Sequence, residues 1–407
     1  MNKRDVLELR RRFKKDNCTI SRMAGCYVDG YKNKVLTFNE NFLNLPEEEF
    51  YKYMELAKKT LGGTIGNNLL ELDFPAEEEE PGGRQQYYMG LKSSDLKNDE
   101  LLDRLYDLII DNYAHSGNFL ILVFKDVYDI MSRTSDNMKL DESEEVYEYI
   151  LVSVCPVDLS KPGLGYRAEE NRIGARIRDW IVAPPETGFL FPAFNDRSAD
   201  IHKVDYFVKD PKDSHPEFIE EVLGCGVKRT ATELKKTFQA IVKNACGQDM
   251  SKAESVLTDI SESINNRVEE LRADAEAGMT SASPVVLSDR VIEEILNEND
   301  IDSESAKTIR NVCHDEFADE TPLLENLVDP RELEKSIRDR REKNLVKENI
   351  ELKSKLSVTN SDADVIVSVA PSVEGRIKTQ IIDSQKFMLI PVESDDQIII
   401  NGHETDI

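Results

Sequence analysis

The chain reads as an α+β protein with a mixed or antiparallel sheet in its N-terminal region, a helical middle and a small β-rich C-terminal segment. Three observations predict this class. Alternating or continuous apolar stretches bounded by turn residues recur up to about residue 212. Capped segments of helical periodicity dominate from His215 to Leu356. β-type residues return from Ala363, where Val365, Val367 and Val369 alternate. With 407 residues, 40% of them apolar, the chain is long enough for two or three domains. The composition divides it into an α+β domain over 1–212, a helical region over 213–356 with a linker near 273–287, and a β segment over 357–407.

The first element is a short amphipathic helix. Asn2 can cap it, Asp5 follows at capping-box spacing, and Val6, Leu9 and Phe13 share one stripe. Alternation over Arg22–Val28 and Val35–Phe42, joined across Asp29-Gly30-Tyr31-Lys32-Asn33, predicts a hairpin. Pro46 at a first helical position, with Glu47–Glu49 at the positive end of the dipole, opens a helix that runs to about Leu61 and stops at Gly62-Gly63; its apolar face is Phe50, Tyr53, Met54 and Ala57. Glu77–Glu80 and Pro81-Gly82-Gly83 read as an exposed, mobile loop.

Asp99–Tyr113 has helical spacing through Leu102, Leu105, Leu108 and Ile109. Asn118–Tyr128 and Val146–Val154 have strand character and suit the centre of a sheet, with further strands at Gly188–Phe194 and Asp205–Val208. Thr230 with Glu233, and Ser251 with Glu254, form capping-box patterns ahead of two apolar stripes. Ala273–Pro284 is a small-residue connector, followed by a helix pair, Asp289–Leu296 and Glu304–Phe317. The charged stretch Arg331–Leu356 predicts a long helix whose Leu345, Leu352 and Leu356, with Asn349 between, offer a route to a homo-oligomer. Ile398–Ile400 meet a turn at Asn401-Gly402.

Several function classes find no motif. Phe119–Phe124, the strongest apolar run, is six residues long against the roughly 20 that a membrane-spanning helix needs. Arg10–Arg12 interrupt the apolar stretch that a secretory signal would require. The six cysteines form no Cys-x-x-Cys pair, which fits free thiols in a reducing cytoplasm and offers no metal site. Gly62-Gly63-Thr64-Ile65-Gly66 lacks the Lys-Ser/Thr of a phosphate loop, and Gly163-Leu164-Gly165 lacks the third glycine of a dinucleotide loop, so nothing implies a cofactor. Ser305 stands where a calcium loop starting at Asp300 needs glycine. Lys307, Arg310 and His314 share a helix face, yet Asp315, Glu316 and Asp319 would repel phosphate there. His115 and His403 stand alone in the sequence.

Charge asymmetry is the best guide to a partner. Positions 1–34 hold ten basic and four acidic residues, so the remaining 373 carry −33 against a formal total of −27. Arg4, Arg10, Arg11, Arg12, Lys14 and Lys15 can neutralise phosphates, which points to nucleic acid; the protein's own acidic surface and an anionic membrane surface are the alternatives. A second candidate lies between Lys161 and His202, where five arginines, four glycines, four prolines and the only tryptophan fall within 42 residues. Arg167, Arg172, Arg176 and Arg178 suit bidentate recognition of an anion. Asp196, Arg197, Asp200 and His202 supply an acid, a cation and a titratable base. If these groups converged, they would make an enzyme acting on an anionic, phosphorylated small molecule. Separate ion pairs would make them structural.

The stretches LELRRRFKKDNCTISRMAGCYVDG, GTIGNNLLELDFP, LDESEEVYEYI, CPVDLSKPGLGYR, NRIGARIRDWIV and FNDRSADIH are together similar to a bacterial family described only as a domain of unknown function. That resemblance covers nearly the whole chain and carries no assigned reaction or binding residue. YFVKDPKDSHPEFIEEVLGCGVKRTATELKKTFQAIVKNAC and the closing IIINGH resemble bacterial nucleoid-associated proteins in arrangement.

Overall fold

The computed structural model describes residues 2–133, 139–247, 250–276, 285–299, 301–318, 320–359, 375–383, 385–392, 399–400 and 403–404. The chain divides into two compact units, Met1–Glu334 and Lys335–Ile407.

Helix α1 (Lys3–Arg12) starts as its sequence demands. The Asn2 side chain accepts from the Arg4 and Asp5 N–H groups at 2.8 and 3.0 Å, and the Asp5 carboxylate accepts from the Asn2 N–H at 3.1 Å. Strands β1 (Arg22–Val28) and β2 (Lys34–Asn41) form the expected hairpin. Helix α2 (Glu47–Thr60) follows Pro46, with Phe50, Met54 and Ala57 buried and Tyr53 half-buried. Strand β3 (Leu69–Asp73) and helix α3 (Arg84–Ser93) come next, then helix α4 (Asp99–Asn112). The long central strands β4 (Asn118–Arg133) and β5 (Lys139–Leu159) pair antiparallel.

Beyond them lie β6 (Leu164–Arg167), β7 (Arg172–Ala175), β8 (Trp180–Val182), β9 (Thr187–Phe191), β10 (Ala193–Asn195), β11 (Ser198–Asp200) and β12 (Lys203–Val208). The main sheet is antiparallel in the order β2-β1-β4-β5-β9-β12-β3, with β8 added to β5. It is the middle of three layers. Alternate residues of its strands face α3, α4 and a π-helical turn over Phe218–Leu223, through Ile121, Val152, Phe189 and Tyr206. The intervening residues face α1 and α2, through Leu122, Leu151, Leu190 and Phe124.

A helical layer completes the first unit: α5 (Ala231–Ala245), α6 (Met250–Glu276), α7 (Asp289–Glu298), α8 (Ser303–Glu316) and α9 (Leu324–Leu327), around Phe238, Ile260, Ile292 and Ile309. The α5 start has both halves of its capping box. The Thr230 Oγ1 accepts the Glu233 N–H at 3.3 Å, and the Glu233 carboxylate accepts the Thr230 N–H at 2.8 Å. Thr230→Ala is expected to lower stability by about 1 kcal/mol, read from urea unfolding followed by circular dichroism.

Helix α10 (Pro330–Thr359) realises the predicted charged helix. Leu345, Asn349 and Leu352 are exposed along it, and the Leu356 side chain lies outside the described residues. In the second unit β13 (Lys378–Ile382) pairs with β14 (Gln385–Leu389), and β15 (Ile399–Ile400) with β16 (His403–Glu404). Val365, Val367, Val369 and the Asn401-Gly402 turn lie outside the described residues.

Four expectations need correction. Gly188–Phe194 is two strands, because Pro192 has no N–H for the ladder and separates β9 from β10. Ala76–Glu79, expected as loop, is a 3₁₀ turn, and Glu78 accepts the Arg84 N–H at 2.5 Å at the start of α3. Helix α6 is described from Met250 on, so Ser251 lies inside the helix rather than ahead of it. The same helix continues through Ala273 to Glu276, and 277–284 lie outside the described residues.

Candidate functional site: a docked basic helix

Successive residues of a helix are turned by 100°, so Lys3, Arg4, Leu7, Arg10 and Arg11 of α1 fall within an arc of about 120°. The middle of that arc lies about 160° from Leu9 and about 100° from Val6, both of which are buried. Lys3, Arg4, Arg11 and, just beyond the helix, Lys14 are exposed, and Arg10 is half-buried. Among the described residues no ion pair engages any of these five cations. The Lys15 side chain lies outside the described residues.

Arg12 belongs to the opposite side. Its guanidinium stacks 3.9 Å from the Tyr128 ring centre and donates to the Thr19 hydroxyl, which donates in turn to Asp126 at 2.6 Å. Tyr149 donates to the other Asp126 oxygen at 2.5 Å. Tyr128 donates to Glu8, and burial together with that carboxylate pushes the Tyr128 phenol up to about 12. Arg12 is therefore an internal residue of the α1–sheet contact, not a free phosphate ligand.

Asp196 and Arg197 meet this same contact. They form the two-residue turn between β10 and β11, and both have positive φ, 46° and 62°. Two left-handed residues suit a tight hairpin but are costly for side chains other than Gly, Asn or Asp. Helix α1 compensates: the Asp196 N–H donates to Asp5 at 3.2 Å, Asn2 donates to the Asp196 carboxylate at 3.1 Å, and Arg197 donates to Glu8 at 3.2 Å. The turn is thus a cleat on which the helix is seated.

The other predicted residues are held elsewhere. Asp200 accepts the His202 N–H at 3.1 Å, and the His202 imidazole meets Glu79 at 2.8 Å, which lifts its pKa above the ordinary value. Arg167 and Arg172 both reach Glu170 in the β6–β7 hairpin, and Arg178 donates to the carbonyls of Ser160 and Leu159 at 2.6 and 3.3 Å. Arg176 is exposed. The structure therefore joins Asp196 and Arg197 to Asp5 and Glu8 of the α1 contact, leaves His202, Arg167, Arg172 and Arg178 in local pairings of their own, and leaves Arg176 exposed.

Sequence reading missed Lys3, which completes the outward cationic arc. It also missed a cluster around Tyr113: the buried phenol donates to Glu186 at 3.0 Å, His115 stacks on its ring at 5.5 Å, and His215 meets it edge-on at 5.4 Å. His115 looked solitary because Glu186 and His215 are brought to it by the fold alone. Among the described residues, no group of three or more His, Cys, Asp or Glu is placed to hold a metal ion, and no helix is long and apolar enough to cross a membrane.

Fold and site together define an α+β protein: an antiparallel sheet, covered by helices on both faces, that carries a docked N-terminal helix with a cationic outer face. A family model described as "Domain of unknown function (DUF4317)" matches residues 1–403, and the chain belongs to that family. No curated protein matches it.

Proposed function

We propose that the protein binds a polyanion, with nucleic acid or a nucleoid component as the partner, through Lys3, Arg4, Arg10, Arg11 and Lys14. The observation that carries this reading is the contrast along one arginine run. Arg12 is turned inward onto Tyr128, whereas Arg10 and Arg11 face outward with no ion pair among the described residues. The formal charge of −27 repels a polyanion at long range, but at physiological salt charges are screened beyond about 8 Å, so the local face decides contact. The resemblance of residues 206–246 to nucleoid-associated proteins favours the same class of partner.

The competing reading is an enzyme acting on an anionic small molecule through Arg167, Arg172, Arg176, Asp196, Arg197, Asp200 and His202. Its residues share no common set of contacts, which favours binding over catalysis.

Duplex DNA and RNA binding across a salt series tests the proposal. Each phosphate neutralised contributes about −0.9 to the slope of log K against log salt. Arg4→Glu, Arg10→Glu and Arg11→Glu combined are expected to flatten the slope by about three and weaken low-salt affinity on the order of 100-fold. Equal binding by wild type and variant would remove the α1 face from the account. No binding by wild type at low salt would remove nucleic acid.

A further inference from the structure

The β6–β7 hairpin pairs Leu164 with Ala175, Gly165 with Gly174, Tyr166 with Ile173 and Arg167 with Arg172. Residues opposite one another in an antiparallel pair share a face, and successive residues alternate. One face therefore carries Leu164, Tyr166, Ile173 and Ala175, and the other Gly165, Gly174, Arg167 and Arg172.

The glycine face is closed by its own arginines. Arg167 donates to the Ala175 carbonyl at 2.8 and 3.2 Å and to Glu170 at 2.9 Å, and Arg172 reaches the same Glu170. A side chain on Gly174 would stand 3.0 Å from the Arg172 guanidinium and 3.3 Å from that of Arg167, so the bare backbone lets both lie flat on the ribbon. The apolar face is open. Leu164, Tyr166 and Ile173 are 79%, 64% and 64% exposed, and Ile177 and Trp180 beyond them are 73% and 57% exposed. A two-stranded ribbon is marginal in water by itself, and an apolar patch of this size marks a contact surface.

We propose that this hairpin is a self-association arm, in which the Leu164–Tyr166–Ile173 face packs on the same face of a second copy of the chain. Two arguments select this occupant. The first is area: the exposed parts of Leu164, Tyr166 and Ile173 alone offer on the order of 400 Å² per chain, about half of the roughly 800 Å² per partner that a stable interface buries, with Ile177 and Trp180 exposed further along the chain. The second is charge. The arginines of the ribbon lie on its other face against Glu170, so two apolar faces meet across a twofold axis without bringing like charges together. An anionic partner would instead need guanidinium groups that Glu170 and the Ala175 carbonyl already engage. Face-to-face ribbons would stack about 10 Å apart.

The test is the molar mass of the full chain by sedimentation over a concentration series, for wild type and for Tyr166→Asp with Ile173→Lys. Both positions are exposed, so the variant is expected to keep the wild-type circular dichroism and unfolding midpoint. Wild type is expected to dimerise, and the variant to raise the dimer Kd by about 100-fold or more, because an unpaired charge is carried into an apolar contact. Tyr166→Cys is expected to cross-link between chains on mild oxidation.

A wild type that stays monomeric at all concentrations would overturn the arm. So would a variant that dimerises as wild type does, or a dimer lost on Leu345→Lys with Leu352→Lys in α10 instead. Unchanged mass, together with loss of binding to anionic phospholipid vesicles, would reassign the face to a membrane. None of these outcomes bears on the DNA and RNA salt series, so the arm and the basic helix stand or fall separately.

Discussion

Gly188→Ala is expected to lower the stability of the first unit by at least about 3 kcal/mol, the upper range for forcing a methyl group into a filled interior. Gly188 lies on β9 directly opposite Ser153 of β5. A Cβ there would stand 2.2 Å from the Val152 carbonyl oxygen and 2.7 Å from the Thr60 methyl group. The first is backbone at the centre of the sheet and cannot swing aside. The second belongs to α2, whose Thr60 hydroxyl is bonded to the buried Ser153 hydroxyl at 2.6 Å. Relief must therefore separate β9 from β5 or lift α2 from the sheet. Urea unfolding should show a lower midpoint, and a loss under about 1 kcal/mol would mean that the α2–sheet contact yields easily.

Asp205→Asn is expected to change the pH dependence of stability. Asp205 is buried beneath α1, and its carboxylate accepts the Phe194 N–H at 3.1 Å. Burial, with the nearby charges of Glu71 and Asp5, pushes its pKa up to about 7. The unfolded carboxyl titrates near 3.9. Between these values the unfolded chain releases a proton that the folded chain keeps, so the Asp205 contribution to stability falls as pH rises through this window and is gone above about pH 7. Asparagine keeps an acceptor for Phe194 and has no proton to lose. The stability of Asp205→Asn relative to wild type should therefore increase by up to about 4 kcal/mol between pH 4 and pH 8, measured by urea unfolding at each pH. A difference independent of pH would show that Asp205 is ionised in the fold throughout.

The parts of the fold that were legible are those in which local chemistry and burial agree. Asn2 with Asp5, Thr230 with Glu233, and the stripe Leu102, Leu105 and Ile109 each announce a helix that the structure contains. Asn118–Tyr128 and Val146–Val154 show as central strands because both faces of the sheet are covered. What stayed hidden depends on distant partners. β3 has only five residues and is specified by its pairing with β12, more than a hundred positions away. Helix α3 follows a glycine pair that reads as a loop, and it opens only because Glu78 folds back onto Arg84.

The site was legible to the same extent. The surplus of positive charge in the first 34 residues is plain in the sequence, but nothing local separates Arg12 from Arg10 and Arg11. Their division follows from Tyr128 and Thr19 lying under one side of the helix. Asp196 and Arg197 suggested an acid and a cation for chemistry, and the fold places them in the left-handed turn that seats α1, a role no local pattern announces.

The rotational phase of α1 accordingly matters as much as its composition. Three adjacent arginines look interchangeable, yet Arg12 lies under the helix while its two neighbours look out, so inserting or deleting one residue upstream would turn the helix by 100° and bring Glu8 or Arg10, respectively, into the slot that Leu9 fills. Lineages related to this chain should tolerate exchange of lysine for arginine on the outer arc far more readily than any change in the length of the segment between Asn2 and Phe13.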